Sequence, residues 1–383
     1  MCELIFLGVL LLAQQQEAPP PRPANPADAA LKPAEADTTR EYLRFSFNFY
    51  NQNDGGGNPN LPEDMKVLEP QILWAKPLSE TWTFSLKLQA DLISAASIEK
   101  GKRFPAGTQT GATGDKYFGV DAAAFYAWSD QTTIGAGLTG STEYDYTSMG
   151  AYVRWVYNTE SKNDTFVARL SGYSDTLDLI RFTGLKEGTD QKTSLSLGLG
   201  WTHILGPSTV GTLNWDITSQ SGFLSTPYNS VVAAGTEVAE VLPDSRFRNS
   251  VHARVRHLLF DDLAVEPGVG GYVDDWGARA FNIELAVWWE IVHGLVIVRP
   301  SYRYHVQQEV DYFVDPSAAT IPKFRTQDSD MADFHSHTIG LKLIFPKFSL
   351  LGENHELEIG VEYSMRSDHL NSVGTTVGYQ WRF

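Results

Sequence analysis

SVGTTVGYQWRF, the run from Ser372 to Phe383, ends the chain and decides how the rest of it is read. Side chains alternate between the two faces of a strand. Val373, Thr375, Val377, Tyr379, Trp381 and Phe383 therefore share one face, and Ser372, Gly374, Thr376, Gly378, Gln380 and Arg382 share the other. One face is apolar and becomes aromatic at its end, while the other is small or polar. An edge strand of a soluble sheet shows such alternation too. The closing strand of an outer-membrane barrel adds the aromatic terminus. Tyr379, Trp381 and Phe383 are then expected to be the signal read by the barrel-assembly machinery.

The same period of two runs along the chain from Glu41. Leu43, Phe45, Phe47 and Phe49 alternate with Arg44, Ser46 and Asn48. Leu195, Leu197, Leu199 and Trp201 alternate with Ser194, Ser196, Gly198 and Gly200, and Leu357, Ile359 and Val361 alternate with Glu356, Glu358 and Glu362. No comparable stretch has helical spacing. About sixteen such segments begin near residues 41, 67, 80, 116, 131, 147, 164, 191, 208, 247, 262, 277, 294, 332, 354 and 372. Each is long enough for the roughly 9–11 residues a tilted strand needs to cross a bilayer. Short connections such as PLS (77–79), LGP (205–207) and HG (293–294) alternate with long ones such as 97–115 and Ser219 to Arg246. Outer-membrane barrels alternate short periplasmic turns with longer external loops in this way.

Composition narrows the function classes. The chain of 383 residues has a net charge of -16, 12% aromatic residues and one cysteine. That acidity argues against a nucleic-acid partner, which needs basic surface. A mean hydropathy of -0.23 is compatible with polar-in, apolar-out strands. The longest apolar run, Leu4 to Ala13, is too short for a transmembrane helix and fits the core of a signal peptide, although no basic residue precedes it. Cys2 lies ahead of that run, which rules against a lipoprotein anchor and leaves the mature chain without a thiol. The expected organisation is a signal peptide over 1–16, a disordered Pro/Ala-rich periplasmic linker over 17–40, and a barrel over 41–383.

Tryptophan positions add an independent test. With a periplasmic N-terminus, even-numbered strands descend. Trp74, Trp128, Trp155, Trp201, Trp289 and Trp381 then end descending strands, and Trp82 begins an ascending one. Seven of the ten tryptophans would share one interfacial height, where amphipathic rings are favoured. The expected fold is all-β: a transmembrane antiparallel up-and-down β-barrel of about sixteen strands, fourteen being the alternative count, in the cell outer membrane.

Five stretches carry a family resemblance: GLTGSTEYDYTSMG (137–150), SQSGFLSTPYNSVV (219–232), PDSRFRNSVHARVRHLL (243–259), YVDDWGARAFNIEL (272–285) and RPSYRYHVQQEVDYF (299–313). The chain resembles an uncharacterised bacterial outer-membrane family, domain of unknown function 3570, from about residue 80 to its end. The family has no assigned activity, so the resemblance implies a barrel and a location and transfers no catalytic residue. Similar proteins tend to be encoded beside flavin-attachment and thioredoxin-like proteins, which implies a redox-linked envelope system.

Candidate chemistry is sparse. Asp274 and Asp275 are adjacent and point to opposite faces, as turn residues in DDWG. His335 and His337 share a face near the external rim, but two ligands alone make a weak metal signal. GVGGYV (268–273) lies within a strand and matches no phosphate loop. No catalytic residue, metal or cofactor is therefore expected.

The inward face says more. By parity it holds Arg254, Arg256, Glu266, Glu284, Arg299 and Arg303, with Arg44, Glu358 and Glu362 among others, on walls otherwise lined by Ser, Thr, Gly and Asn. Arg254 or Arg256 is expected to reach Glu266, and Glu284 to reach Arg299, because neighbouring strands lie about 4.8 Å apart. A barrel of this size can hold an aqueous channel. The expected function is a passive pore or transporter for small polar solutes, with no enzymatic chemistry. The alternative is a structural or docking component of an envelope redox or export assembly, without its own conductance. Expected partners are outer-membrane lipid and lipopolysaccharide, the barrel-assembly machinery, and a periplasmic partner reached through the N-terminal segment.

Overall fold

In hydrocarbon every backbone donor and acceptor must be paired within the protein, so alternating strands can span a membrane only by closing on themselves. A computed structural model, describing residues 40–55, 64–95, 116–348 and 354–383, shows that closure. The signal peptide and linker expected over 1–40 lie outside the described residues apart from Arg40, as does the loop 97–115.

The first nine strands are β1 (Tyr42–Asp54), β2 (Met65–Pro77), β3 (Trp82–Ala95), β4 (Lys116–Ala127), β5 (Thr132–Thr142), β6 (Tyr146–Asn158), β7 (Asp164–Ile180), β8 (Lys186–Gly206) and β9 (Thr209–Gly222). A separate external hairpin follows, made of β10 (Ser230–Ala233) and β11 (Thr236–Ala239). The remaining strands are β12 (Ser245–Phe260), β13 (Leu263–Asp274), β14 (Arg279–Val292), β15 (Val296–Gln308), β16 (Phe334–Phe345), β17 (His355–Arg366) and β18 (Leu370–Arg382). Sixteen of them form one closed antiparallel barrel. β1 seals against β18 from Tyr42↔Arg382 to Asp54↔Leu370, so no edge is left.

The strand starts fall where the alternation places them, with the widest gap at β8, which begins at Lys186 rather than near 191. Residues 186–191 are exposed on both faces, above the apolar band, where nothing requires a period of two. Within the band the outer face is apolar and exposed, as at Phe47, Leu88, Leu138, Leu195 and Ile283, while the inner face buries Ser46, Asn48, Gln71, Ser171 and Thr202.

An even strand number returns both ends of the barrel to one rim. Tight turns occupy that rim, such as 207–208 between β8 and β9 and 261–262 between β12 and β13. It is the periplasmic side by the length rule for these barrels. There Trp74 and Trp381 flank Leu43 in adjacent strands, and Trp201 lies opposite Phe166. Rings follow one another around the wall, from Trp155 through Tyr157 and Phe166 to Trp201 at 5.8, 6.4 and 6.4 Å. Trp381 meets Phe383 at 4.0 Å, and the Phe383 N–H donates to the Glu41 carbonyl at 2.8 Å. The last residue thus belongs to the aromatic girdle and to the seam.

Two long external connections fold on each other. Residues 223–244 and 309–333 pack Leu224, Leu242 and Val310 around Trp276, with Tyr272, Tyr312, Phe313 and Met331 against them. A second small core joins Val231 and Ala233 of the hairpin to Val314. The long connection expected from Ser219 to Arg246 is not a plain loop: with 309–333 it forms a cap with its own interior. Their apolar residues follow no strand period because they contact another loop, not lipid.

Candidate functional site: the charged inner wall and its cap

Strand parity turns one charged set inward on β12 to β18 and β1, and cross-strand register sets which charges meet. Arg256 donates from Nε to Glu266 at 2.6 Å, and Arg299 Nη2 lies 3.8 Å from the same carboxylate. Both guanidiniums lie over the Trp288 ring, at 4.1 and 4.8 Å from its centroid. Glu284 accepts from Arg254 Nε at 2.6 Å and sits 3.0 Å from His252 Nε2. Glu358 is shared by Arg44 at 3.3 Å and Lys342 at 3.5 Å. Each of these three carboxylates is thus held by two basic groups. Arginine's planar fork suits such shared contacts.

The expected pairing of Glu284 with Arg299 is replaced by Arg254 and His252, and Arg299 turns to Glu266 instead. Glycine is the reason. Arg254, Gly268 and Glu284 stand in one row across β12, β13 and β14. A Cβ on Gly268 would lie 2.7 Å from Glu284 Oε1 and 3.1 Å from Arg254 Cγ, so only glycine lets these side chains meet over the middle strand. Gly378 likewise lies under the Arg44–Glu358 contact, where an added Cβ would come 3.4 Å from the guanidinium and 3.7 Å from the Glu358 Cβ. Nearest-neighbour reasoning looks one strand away, and these glycines extend the reach to two. GVGGYV contained the signal, but as a bridge and not as a loop.

Arg303 is the exception among the six charged residues singled out from sequence. Its register partner on β14 is Glu284, which has turned to β12. Among the described residues the ion pairs of this wall leave Arg303 out. The other half of the barrel carries a separate polar lining. The Arg169 guanidinium lies 3.8 Å from the Tyr152 ring centroid, Tyr152 donates to Asp121 at 2.9 Å, and Lys192 approaches Asp175 at 3.7 Å.

The cap rests on inward-facing rim residues. Arg246 donates to Asp274 at 2.6 Å and lies 4.2 Å from the Trp276 ring, whose N–H donates to the Ser245 carbonyl at 2.8 Å. Gln307 donates to the Asp330 and Ala332 carbonyls at 2.7 and 2.9 Å, and Arg366 pairs with Asp330 and Asp368. The cap is therefore tied to β12, β13, β15 and β17 and leans over the mouth. Inside it, Glu240 accepts from the Thr326 hydroxyl at 2.6 Å and the Thr226 N–H at 2.7 Å, and Asp328 accepts from Asn229 at 3.1 Å. Burial, then the neighbouring Asp328 carboxylate, pushes the Glu240 carboxyl up to about 8.

On the lipid side near the external rim, His337 shares a 2.7 Å hydrogen bond with Tyr302, and His335 lies beside it at 6.0 Å between centroids. These are interfacial packing contacts. Asp274 is a turn anchor that accepts from the Trp276 and Ala278 N–H groups at 3.1 and 2.9 Å.

Solved structures share this architecture at low identity. A bacterial polysaccharide outer membrane secretin matches 90% of this chain and 98% of its own at 10% identity, with a TM-score of 0.53. The siderophore receptor PirA from Acinetobacter baumannii matches 85% of this chain and 52% of its own at 9% identity, with a TM-score of 0.47. OpdK from Pseudomonas aeruginosa, solved with vanillate, matches 90% and 98% at 7% identity, with a TM-score of 0.42. A search of curated protein sequences gives no significant match. The likeness concerns the fold, and with the closed sixteen-strand barrel it places the protein in the outer membrane. The family model described as "Protein of unknown function (DUF3570)" matches residues 11–381, so a chain that folds, seals and girdles itself as an outer-membrane barrel belongs to that family.

Proposed function

We propose that the protein is a passive pore or transporter for small polar solutes, with Arg254, Arg256, Glu266, Glu284, Arg299 and Arg303 lining the route. The observation that carries this reading is the inner wall itself. Charges there gather in clusters, two basic groups to each central carboxylate, so the surface is polar and carries a local excess of positive charge. A wall meant only to be packed shut has no need of ionic groups, because apolar residues of similar volume stabilise as well or better. Barrels of about sixteen strands are wide enough for an aqueous channel. The cap then shapes the external entrance over β12 to β17.

Conductance in planar bilayers tests the proposal. The purified full chain should form discrete channels without a partner. Replacing Arg254 and Arg299 by neutral residues leaves Glu284 with His252 alone and Glu266 with Arg256 alone, removes two positive charges from the wall, and should move the reversal potential toward cations. That shift should shrink at 1 M salt, where the screening length is roughly 3 Å. A folded barrel with no conductance refutes the pore, and unchanged reversal potentials in a conducting double variant remove this wall from the path.

A further inference from the structure

The inner face of β12 to β18 and β1 is more basic than acidic between its two ends. Arg246 with Asp274 and Arg366 with Asp368 close the upper rim, and Arg382 with Glu356 closes the lower one. Between them stand six basic side chains, Arg44, Arg254, Arg256, Arg299, Arg303 and Lys342, and four carboxylates, Glu266, Glu284, Glu358 and Glu362. Glu266 and Glu358 are each shared by two of these cations, and Glu284 by Arg254 and His252. Glu362 has Arg303, then Arg299 and Lys342, as electrostatic partners. The strip therefore carries two more positive charges than negative ones.

The wall does not use up this surplus. Arg299 and Lys342 are direct register partners on β15 and β16 and repel one another. Like charges set opposite each other destabilise a sheet. Donors are in surplus as well: the Nε–H groups of Arg44 and Arg299 have no hydrogen-bond partner among the described residues, although Arg44 is only 6% exposed. The opposite half differs. On β2 to β9, Lys87, Arg154, Arg169 and Lys192 share the inner face with five acids, Glu69, Asp91, Asp121, Asp175 and Asp216. The positive excess is a strip and not a property of the whole lumen.

We propose that this strip is a track for small oxyanions, carboxylates or phosphates, and that it makes the pore anion-selective. The inference deepens the pore reading and rests on it. Rows of Arg and Lys select anions in pores, and a wall of one sign raises the local concentration of counter-ions. Arginine supplies five of the six cations, and its planar fork matches the two oxygens of a carboxylate or phosphate. Sharing makes the transfer cheap. When Arg299 turns to a solute, Glu266 keeps Arg256; when Arg44 turns, Glu358 keeps Lys342; when Arg254 turns, Glu284 keeps His252. Each step lends one guanidinium and leaves no carboxylate bare.

Planar-bilayer recordings on the purified full chain in a potassium chloride gradient test this. Wild type should pass chloride in preference to potassium at 0.1 M salt, where the screening length is roughly 10 Å, and lose most of that preference at 1 M, where it is roughly 3 Å. Heat-modifiable mobility confirms that each variant is folded. Lys342→Gln and Arg303→Gln should each lower the chloride preference. Lys87→Gln removes the same charge from the opposite half and should change it much less. Succinate and inorganic phosphate, added singly, should each reduce the chloride current, the stronger blocker naming the preferred oxyanion, and uncharged glycerol should not. A conducting wild type without chloride preference, equal shifts from Lys87→Gln and Lys342→Gln, or chloride currents indifferent to both oxyanions overturns the track and leaves the pore standing. A folded barrel that never conducts removes the pore reading and the track with it.

Discussion

Trp276 offers the sharpest perturbation of the cap. It is 1% exposed, packs edge-on against Tyr312 at 5.9 Å, lies under the Arg246 guanidinium, and donates its N–H to the Ser245 carbonyl. Cutting a buried tryptophan to alanine typically costs about 3–5 kcal/mol. Both loops that make the cap meet at this ring, and the barrel ladder does not depend on it, so the loss should fall on cap opening and not on the barrel. At 1.4 kcal/mol per tenfold, a loss of about 4 kcal/mol raises the open population by roughly a thousandfold. Cleavage by protease added to whole cells follows that population when opening and closing are fast. Trp276→Ala should therefore be cut within 223–244 and 309–333 far faster than wild type, with Trp276→Phe between them. The turn between Asn158 and Asp164, on the periplasmic side, should be spared in both. Wild-type cleavage rates in a folded Trp276→Ala barrel would show that the cap does not depend on this ring, and cutting at that turn would invert the orientation.

Two further expectations follow from single groups. Glu240 holds its proton in the closed cap up to about 8 and, once the cap opens, releases it near the ordinary carboxylate value. Its contribution is therefore complete below about pH 4 and is lost as pH rises through 8, so cap opening should increase toward alkaline pH, with Glu240→Gln flattening that dependence; a flat wild-type profile in cap hydrogen exchange would refute it. Deleting Phe383 removes its ring contact with Trp381 and its hydrogen bond to Glu41 at the seam, and should slow assembly and leave unfolded chain in the periplasm. A normal yield of heat-modifiable barrel after that deletion would refute the assembly role of Tyr379, Trp381 and Phe383.

Sequence by itself determined the barrel. A period of two is local, and lipid on one side with a polar interior on the other imposes it on every spanning strand, so strand number, direction and girdle height were readable from Leu43 to Phe383. Parity likewise turned Arg254, Arg256, Glu266, Glu284, Arg299 and Arg303 inward. Which of them meet was decided only by tertiary structure, since a contact over Gly268 joins residues two strands apart and depends on the middle residue having no side chain. The cap was decided there too. Leu224, Trp276 and Val310 bury one another across 86 residues of chain, and a contact between two loops leaves no period in either.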